Sequence, residues 1–245
     1  MSVGKNIVFL HGAGLSSYIW EDFSQQYFPG STCAPFPFRE SNQAFKRKIT
    51  LEDYCQSVGE AILQHSSHRK VVLVCHSISA IVGLQLIDNI GEKINGIIGI
   101  GASVPCPGNN FFSTLPIPQR ILMPWITRLA GTKPPENVIR KSLCEGLVEA
   151  SADTIINGYA AESYQLFGSK VQYDLGGIYK GYVKLLSDKA YPLSSQKNSI
   201  ANFRPHSIKQ LSSGHLPMLS HPVELAGLLV SMLLDYKRKI KGINA

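Results

Sequence analysis

Ser77, Asp188 and His215 each follow a strand-like run, are of the types that nucleophilic catalysis uses, and follow one another in the order Ser, Asp, His. A serine hydroxyl is a poor nucleophile at neutral pH. It attacks only when a neighbouring base takes its proton and a carboxylate orients that base. Ser77 lies in VVLVCHSISAIVG, Val71 to Gly83, where an apolar and mostly β-branched run gives way to helical spacing. A serine at such a junction is either a helix cap or a nucleophile carried on a strained strand-to-helix turn. The second role needs small residues two positions before and after, because the tight turn presses them against adjacent backbone. Cys75 and Ser79 are small, although neither is glycine, and Ala80 and Gly83 let the following helix lie close to the sheet. The Cys75 thiol itself reads as a buried small residue.

Asp188 closes the strand-like YVKLLSD, and His215 sits in SSGHLP, a polar turn after another strand-like run. Asp174 or a carboxylate between residues 105 and 181 is the alternative to Asp188. His11 and His76 fall inside motifs where a histidine orders a loop by hydrogen bonding, and His65, His68, His206 and His221 are read as structural as well.

The elements that must carry these groups alternate. KNIVFLHG opens with a short strand and STCAPF is a weaker one. Thr50 and Asp53 form a capping-box-like start to a helix that puts Leu51, Tyr54, Cys55, Val58 and Ile62 on one face. A strand Val71 to Val74, a helix from about Ser79 to Ile90 and a strand Ile94 to Gly101 follow. This alternation predicts an α/β fold, a doubly wound and mainly parallel sheet of about six strands with helices on both faces. In such a sheet, reactive groups collect at the carboxyl ends of the strands.

From residue 105 to about 181 the alternation stops. PCPGNNFFSTLPIPQRILMPW gives way to helical stretches such as Glu136 to Val148. A segment of this length should form a helical lid between the first part of the core sheet, residues 1–104, and the second, 182–245, because a structureless loop so long is improbable. Phe111, Phe112, Met123, Trp125 and Ile126 either line an apolar pocket or form the insertion's own core. Strands in YVKLLSD and HSIKQLSS and a final helix with Pro222 in its first turn complete the chain.

Composition narrows the function. A chain of 245 residues suits one large domain with a full core. The five cysteines form no CxxC pair and are odd in number, which argues against a disulfide framework or zinc site and for reduced thiols in the cytoplasm. The N-terminal apolar run is too short for a secretory core, and the run Leu225 to Leu234 falls short of a membrane span, so an uncleaved cytoplasmic protein is expected. The net charge of +7 is spread over short clusters, at Lys46 to Lys48 and Lys237 to Lys241, that read as solvated surface rather than a nucleic-acid site. Arg120, Arg128, Arg140 and Lys141 are the only hint of an acidic carrier or carboxylate substrate.

Across nearly its whole length the sequence resembles the α/β-hydrolase superfamily. HGAG is similar to the oxyanion loop, CHSIS to the nucleophile elbow, SDKAYP to the acid turn, and SSGHLPMLSHP to the catalytic-histidine loop. HSISAIVG, GASVP and SGHLPMLSHP look closest to the small serine esterases, a branch that includes plant methyl esterases, hydroxynitrile lyases, pimeloyl-carrier methyl esterases and strigolactone and karrikin receptors. The resemblance implies Ser77 as nucleophile, His215 as base and then acid, Asp188 as the orienting carboxylate, and the backbone N–H groups of Ala13 and Ile78 as the oxyanion hole. It implies no cofactor and a small-molecule or acyl-carrier ester as partner; the absence of clustered ligands argues against a metal, and because the sequence opens almost directly at the HG strand, a smaller sheet without the family's first hairpin is expected. PFPFRESN departs from the family's usual pattern after the second strand. A thioesterase, a ligand receptor with a residual triad and a lyase are the alternative activities.

Overall fold

The computed structural model describes residues 3–37, 49–66 and 69–240. The Lys46 to Lys48 cluster, His68 and all of RESN lie outside them. Six strands form one sheet: β1 (Ile7–Leu10), β2 (Thr32–Ala34), β3 (Val71–His76), β4 (Ile94–Ile100), β5 (Tyr179–Leu185) and β6 (Ser207–Leu211). Their order is β2-β1-β3-β4-β5-β6, and every pairing is parallel. The expected doubly wound sheet is therefore present, and among the described residues it starts at β1.

Parallel strands must be joined by crossovers, which here are mostly helical, so both faces of the sheet are covered and the strands read as unbroken apolar runs. The two faces separate by residue parity. Ile7 and Phe9 of β1 and Val72 and Val74 of β3 join one core with α1 (Tyr18–Tyr27) and the C-terminal helix. Val8, Leu10, Val71, Leu73 and Cys75 join the other, against α2 (Leu51–Ser66) and α3 (Ser79–Ile90). The start of α2 is a reciprocal capping box. The Thr50 N–H donates to Asp53 Oδ2 at 2.9 Å, and the Asp53 N–H donates to Thr50 Oγ1 at 3.2 Å.

Between β4 and β5 lie α4 (Gln119–Leu129), α5 (Glu136–Ser142), α6 (Glu149–Gly158) and α7 (Tyr164–Gly168). The helix expected from Glu136 to Val148 ends at Ser142. The chain turns through Gly146 at φ +82°, a left-handed conformation that glycine adopts without strain, and α6 then starts at Glu149. Strand β5 also begins earlier than expected, at Tyr179. Gly181 sits inside it because a Cβ there would lie 3.2 Å from Met232 Sδ and 3.3 Å from Ile98 Cγ1, so helix packing rather than a turn explains this glycine. Helices α8 (Leu193–Phe203), α9 (Pro217–Ser220) and α10 (Pro222–Ile240) complete the fold.

The strand order reverses direction at β1, whose neighbours are β2 and β3. Such a switch point opens a crevice beyond the carboxyl ends of the strands. Leu10 pairs with Cys75 in register, so the chain leaves β1 into His11-Gly12 beside the point where it leaves β3 into His76-Ser77.

Candidate active site

Ser77 is one of two non-glycine residues with positive φ among those described, at +59°. The left-handed region costs an L-residue on the order of 1–2 kcal/mol, and it persists only where the surroundings impose it. Here both backbone polar groups of Ser77 are tied. Its N–H donates to Ile100 O at 3.1 Å, and its carbonyl accepts from the Ser103 N–H at 3.0 Å. The neighbours explain how a turn without flanking glycines is tolerated. Cys75 packs against Gly83, where a Cβ would stand 2.9 Å from its sulfur. The buried Ser79 hydroxyl lies 2.8 Å from His76 O and 3.2 Å from Leu10 O, so its polarity is satisfied. Burial pushes the Cys75 thiol pKa far up, which keeps it protonated and unreactive.

Asp188 and His215 meet below this turn. His215 Nδ1 lies 2.7 Å from Asp188 Oδ2, with both side chains almost fully buried. The other carboxylate oxygen of Asp188 accepts from the N–H groups of Ala190 at 2.9 Å and Tyr191 at 2.8 Å. These bonds fix the carboxylate, and the carboxylate in turn favours the imidazole tautomer protonated on Nδ1, leaving Nε2 as the basic nitrogen. Asp174, the alternative carboxylate, is exposed and caps its own turn by accepting from the Gly176 N–H at 2.9 Å.

Two further histidines hold the loops. His11 Nε2 accepts from the Phe36 N–H at 3.3 Å, which leaves its Nδ1 to donate to Gly12 O at 2.9 Å. His76 Nε2 donates to the His215 carbonyl at 2.8 Å, tying the turn after β3 to the histidine loop. Burial, followed by the proximity of His215, holds the His76 pKa well below the usual imidazole value. The two rings lie 4.6 Å apart.

Ser77, His215, Ala13 and Ile78 all border one cavity of about 810 Å³. Of the side chains expected around a pocket, Phe111, Met123 and Ile126 line it. Phe112 is buried behind the wall among Phe111, Tyr164 and Phe167, and Trp125 points outward at 66% exposure. Gly12 is required at the meeting of loop and turn, since a Cβ there would lie 3.0 Å from both Ser77 Cβ and His76 Nδ1.

One residue of the site has no motif to announce it. Glu162, on the insertion and only 4% exposed, accepts from the Gly14 N–H and from the Tyr54 hydroxyl, each at 2.8 Å. The Gly14 carbonyl accepts from Ala160 N–H at 2.9 Å, and the Tyr159 ring occupies the space where a Gly14 side chain would be. The insertion thus clamps the turn that contains Ala13 on both sides of Gly14. A lone buried carboxylate in GYAAESY was the available signal, but nothing in spacing connects it to Gly14.

This doubly wound sheet, with a serine on the turn after its third strand and a histidine–carboxylate pair on later loops, defines the class of α/β hydrolases. The chain belongs to the alpha/beta hydrolase family, whose model matches residues 7–228. No curated protein sequence matches it. Among solved structures it is similar to an extracellular α/β-hydrolase from a Paenibacillus species, described as sharing homology with tobacco salicylic acid binding protein 2. That similarity has a TM-score of 0.79 at 18% identity, covering 92% of this chain and 98% of the other. A pyrethroid hydrolase from Sphingobium faniae gives 0.75 at 18% identity, with coverages of 93% and 96%. An Arabidopsis methylesterase gives 0.70 at 18% identity, with 92% and 97%.

Proposed function

We propose that the protein is a serine hydrolase of carboxylic esters that works through an acyl-enzyme. The observation that carries this reading is the buried 2.7 Å His215–Asp188 pair opening on the same cavity as Ser77, whose φ of +59° marks a strained turn. In the first half-reaction Ser77 Oγ bonds to the ester carbonyl carbon while His215 Nε2 takes the hydroxyl proton. The oxyanion is received by the N–H groups of Ala13 and Ile78, where losing one donor typically costs about 3 to 4 kcal/mol of barrier stabilisation. Collapse breaks the bond to the alkoxy oxygen, which leaves as alcohol with the proton from His215. Water, deprotonated by His215, then attacks the acyl carbon, and the acid departs as Ser77 regains its proton.

The insertion between β4 and β5 acts in this reading as a lid that shapes the acyl site and limits water entry. Phe111, Met123 and Ile126 on the cavity wall suit an apolar acyl group or alcohol. The five unpaired cysteines favour the reducing cytoplasm as the protein's compartment.

Labelling with a fluorophosphonate probe, in the wild type and in Ser77→Ala, followed by a panel of aryl esters, acyl-carrier thioesters and coenzyme A thioesters, tests the assignment. Wild-type labelling that disappears in Ser77→Ala, with multiple turnover of esters, is expected. Undiminished labelling of Ser77→Ala would remove Ser77 as nucleophile. Strong preference for thioesters would make the protein a thioesterase, and labelling without turnover would point to a receptor.

A further inference from the structure

Helix α4 has its apolar face on the wrong side for an ordinary surface helix. Met123 and Thr127 turn inward to the cavity. Ile121, Trp125 and Leu129, spaced four apart, face outward at 59%, 66% and 82% exposure, with Leu122 beside them at 53%. One stripe is therefore both apolar and solvent-facing along the whole helix. Ile117 extends it at 74%, and Ile126, 49% exposed, joins it to the cavity wall. A run of large apolar side chains exposed along one helix face marks a surface that is covered in use.

The charges around the patch say what covers it. Residues 103–135 contain no Asp or Glu, while Arg120 and Arg128 are exposed on the same helix and Lys133, beyond its C-terminal end, lies exposed on the cavity wall beside Glu136. None of the three forms an ion pair among the described residues. The Arg128 guanidinium sits 5.8 Å from the centre of the Tyr164 ring, a contact that leaves its charge unneutralised. A second copy of the chain docking by a two-fold axis would bring these cations together with no acid in the segment to oppose them. An anionic lipid surface instead takes the apolar stripe among its acyl chains, the indole at the headgroup level, and the cations against phosphates.

We propose that the outer face of α4 docks the protein on anionic lipid bilayers, lying in the interface plane with the rim of the cavity at Ile126 turned toward the membrane. The helix has 11 residues, about half the length a span requires, so it lies on the bilayer rather than crossing it. This reading extends the proposed esterase by placing its entrance where amphiphilic esters are held. It does not depend on the nucleophile, since docking precedes chemistry.

The test is co-sedimentation of the full chain with large vesicles of phosphatidylcholine alone or with 30% phosphatidylglycerol, read beside tryptophan emission. The chain has two tryptophans, and Trp20 is fully buried, so a shift on binding reports Trp125. Expected are at least about tenfold stronger partitioning on the anionic vesicles, a blue shift, and weakening by salt. Leu129→Glu should abolish binding and the shift while leaving hydrolysis of a short soluble ester unchanged. Arg120→Gln with Arg128→Gln should remove only the preference for anionic lipid. Equal partitioning on both vesicle types, or no sedimentation in a chain that still hydrolyses the soluble ester, overturns the proposal. Light scattering in the absence of lipid that shows a dimer dissolved by Leu129→Glu would assign the face to a second copy instead. Membrane binding that persists in Ser77→Ala separates this inference from the hydrolase reading.

Discussion

The loops at the carboxyl ends of the strands and the insertion between β4 and β5 are built by different rules. At the strand ends, position follows from backbone sterics. Leu10 pairs with Cys75, so Gly12 meets Ser77, and one glycine Cβ would close the gap to 3.0 Å. In the insertion, position follows from side-chain packing between short helices, and a buried carboxylate, Glu162, reaches back to Gly14. The first region holds Ser77, Asp188 and His215 on a rigid frame, and the second supplies most of the wall of the cavity that Ser77 and His215 border.

The contrast is broken most directly by removing the groups on the frame. Ser77→Ala and His215→Ala should each lower kcat/KM for an aryl ester by about 10⁴-fold or more, because the members of the proposed triad would act as a unit. Thermal unfolding should change little for Ser77→Ala, since alanine keeps the Cβ and with it the same positive-φ strain. A loss below tenfold in steady-state kinetics would mean that another nucleophile operates.

Asp188→Asn should cost on the order of 10³- to 10⁴-fold in kcat. The amide offers a donor where His215 Nδ1 also donates, and this favours the wrong tautomer. Its Oδ1 position can still accept from Ala190 and Tyr191, so the fold should survive. A pH–rate profile would show whether the residual activity follows hydroxide, and unchanged kcat would assign the orienting role elsewhere.

These two predictions concern residues that the sequence made legible, and the reason is physical. A reactive serine on a strand-to-helix turn demands small neighbours, a glycine-rich loop beside it and a histidine on a later turn, and each demand restricts residue type at a fixed offset. The alternation of apolar runs likewise exposed six strands, with the boundary of β5 misplaced because Gly181 reads as a breaker where it serves helix packing. The insertion imposed no such offsets. Met123 and Trp125 are two residues apart in an apolar stretch, yet one lines the cavity and the other faces solvent, and only the docking of α4 decides which. Glu162 was invisible for the same reason, its partners lying 148 and 108 residues away.

Glu162 is where the two regions meet, and its removal sharpens the comparison. Glu162→Ala leaves the Gly14 N–H and the Tyr54 hydroxyl without their shared acceptor, and should cost about 1–3 kcal/mol of stability. If the clamp also positions the turn carrying Ala13, kcat should fall about 10- to 100-fold with KM nearly unchanged, because the oxyanion is stabilised only in the transition state. Glu162→Gln, which can accept from Gly14 with its oxygen and donate to Tyr54 with its amide, should restore most of both. A lowered melting temperature with unaltered kcat would confine Glu162 to a structural role.

The smallest effect separates the buried frame from the solvent by pH. His76 is fully buried, donates from Nε2 to the His215 carbonyl, and has a pKa held well below the unfolded value near 6.5, first by desolvation and then by His215. Because its folded pKa is depressed, the unfolded chain binds more protons as pH falls below about 6.5. The stability associated with a neutral His76 is therefore complete above that pH and lost below it, with a limiting slope of about 1.4 kcal/mol per pH unit. Gln in place of His76 keeps an amide donor within reach of the same carbonyl but cannot titrate. Denaturant unfolding of the wild type and His76→Gln between pH 5 and 8 should give curves that run parallel above pH 7 and converge as the pH falls, by up to that slope. Parallel curves throughout would mean that His76 titrates alike in both states.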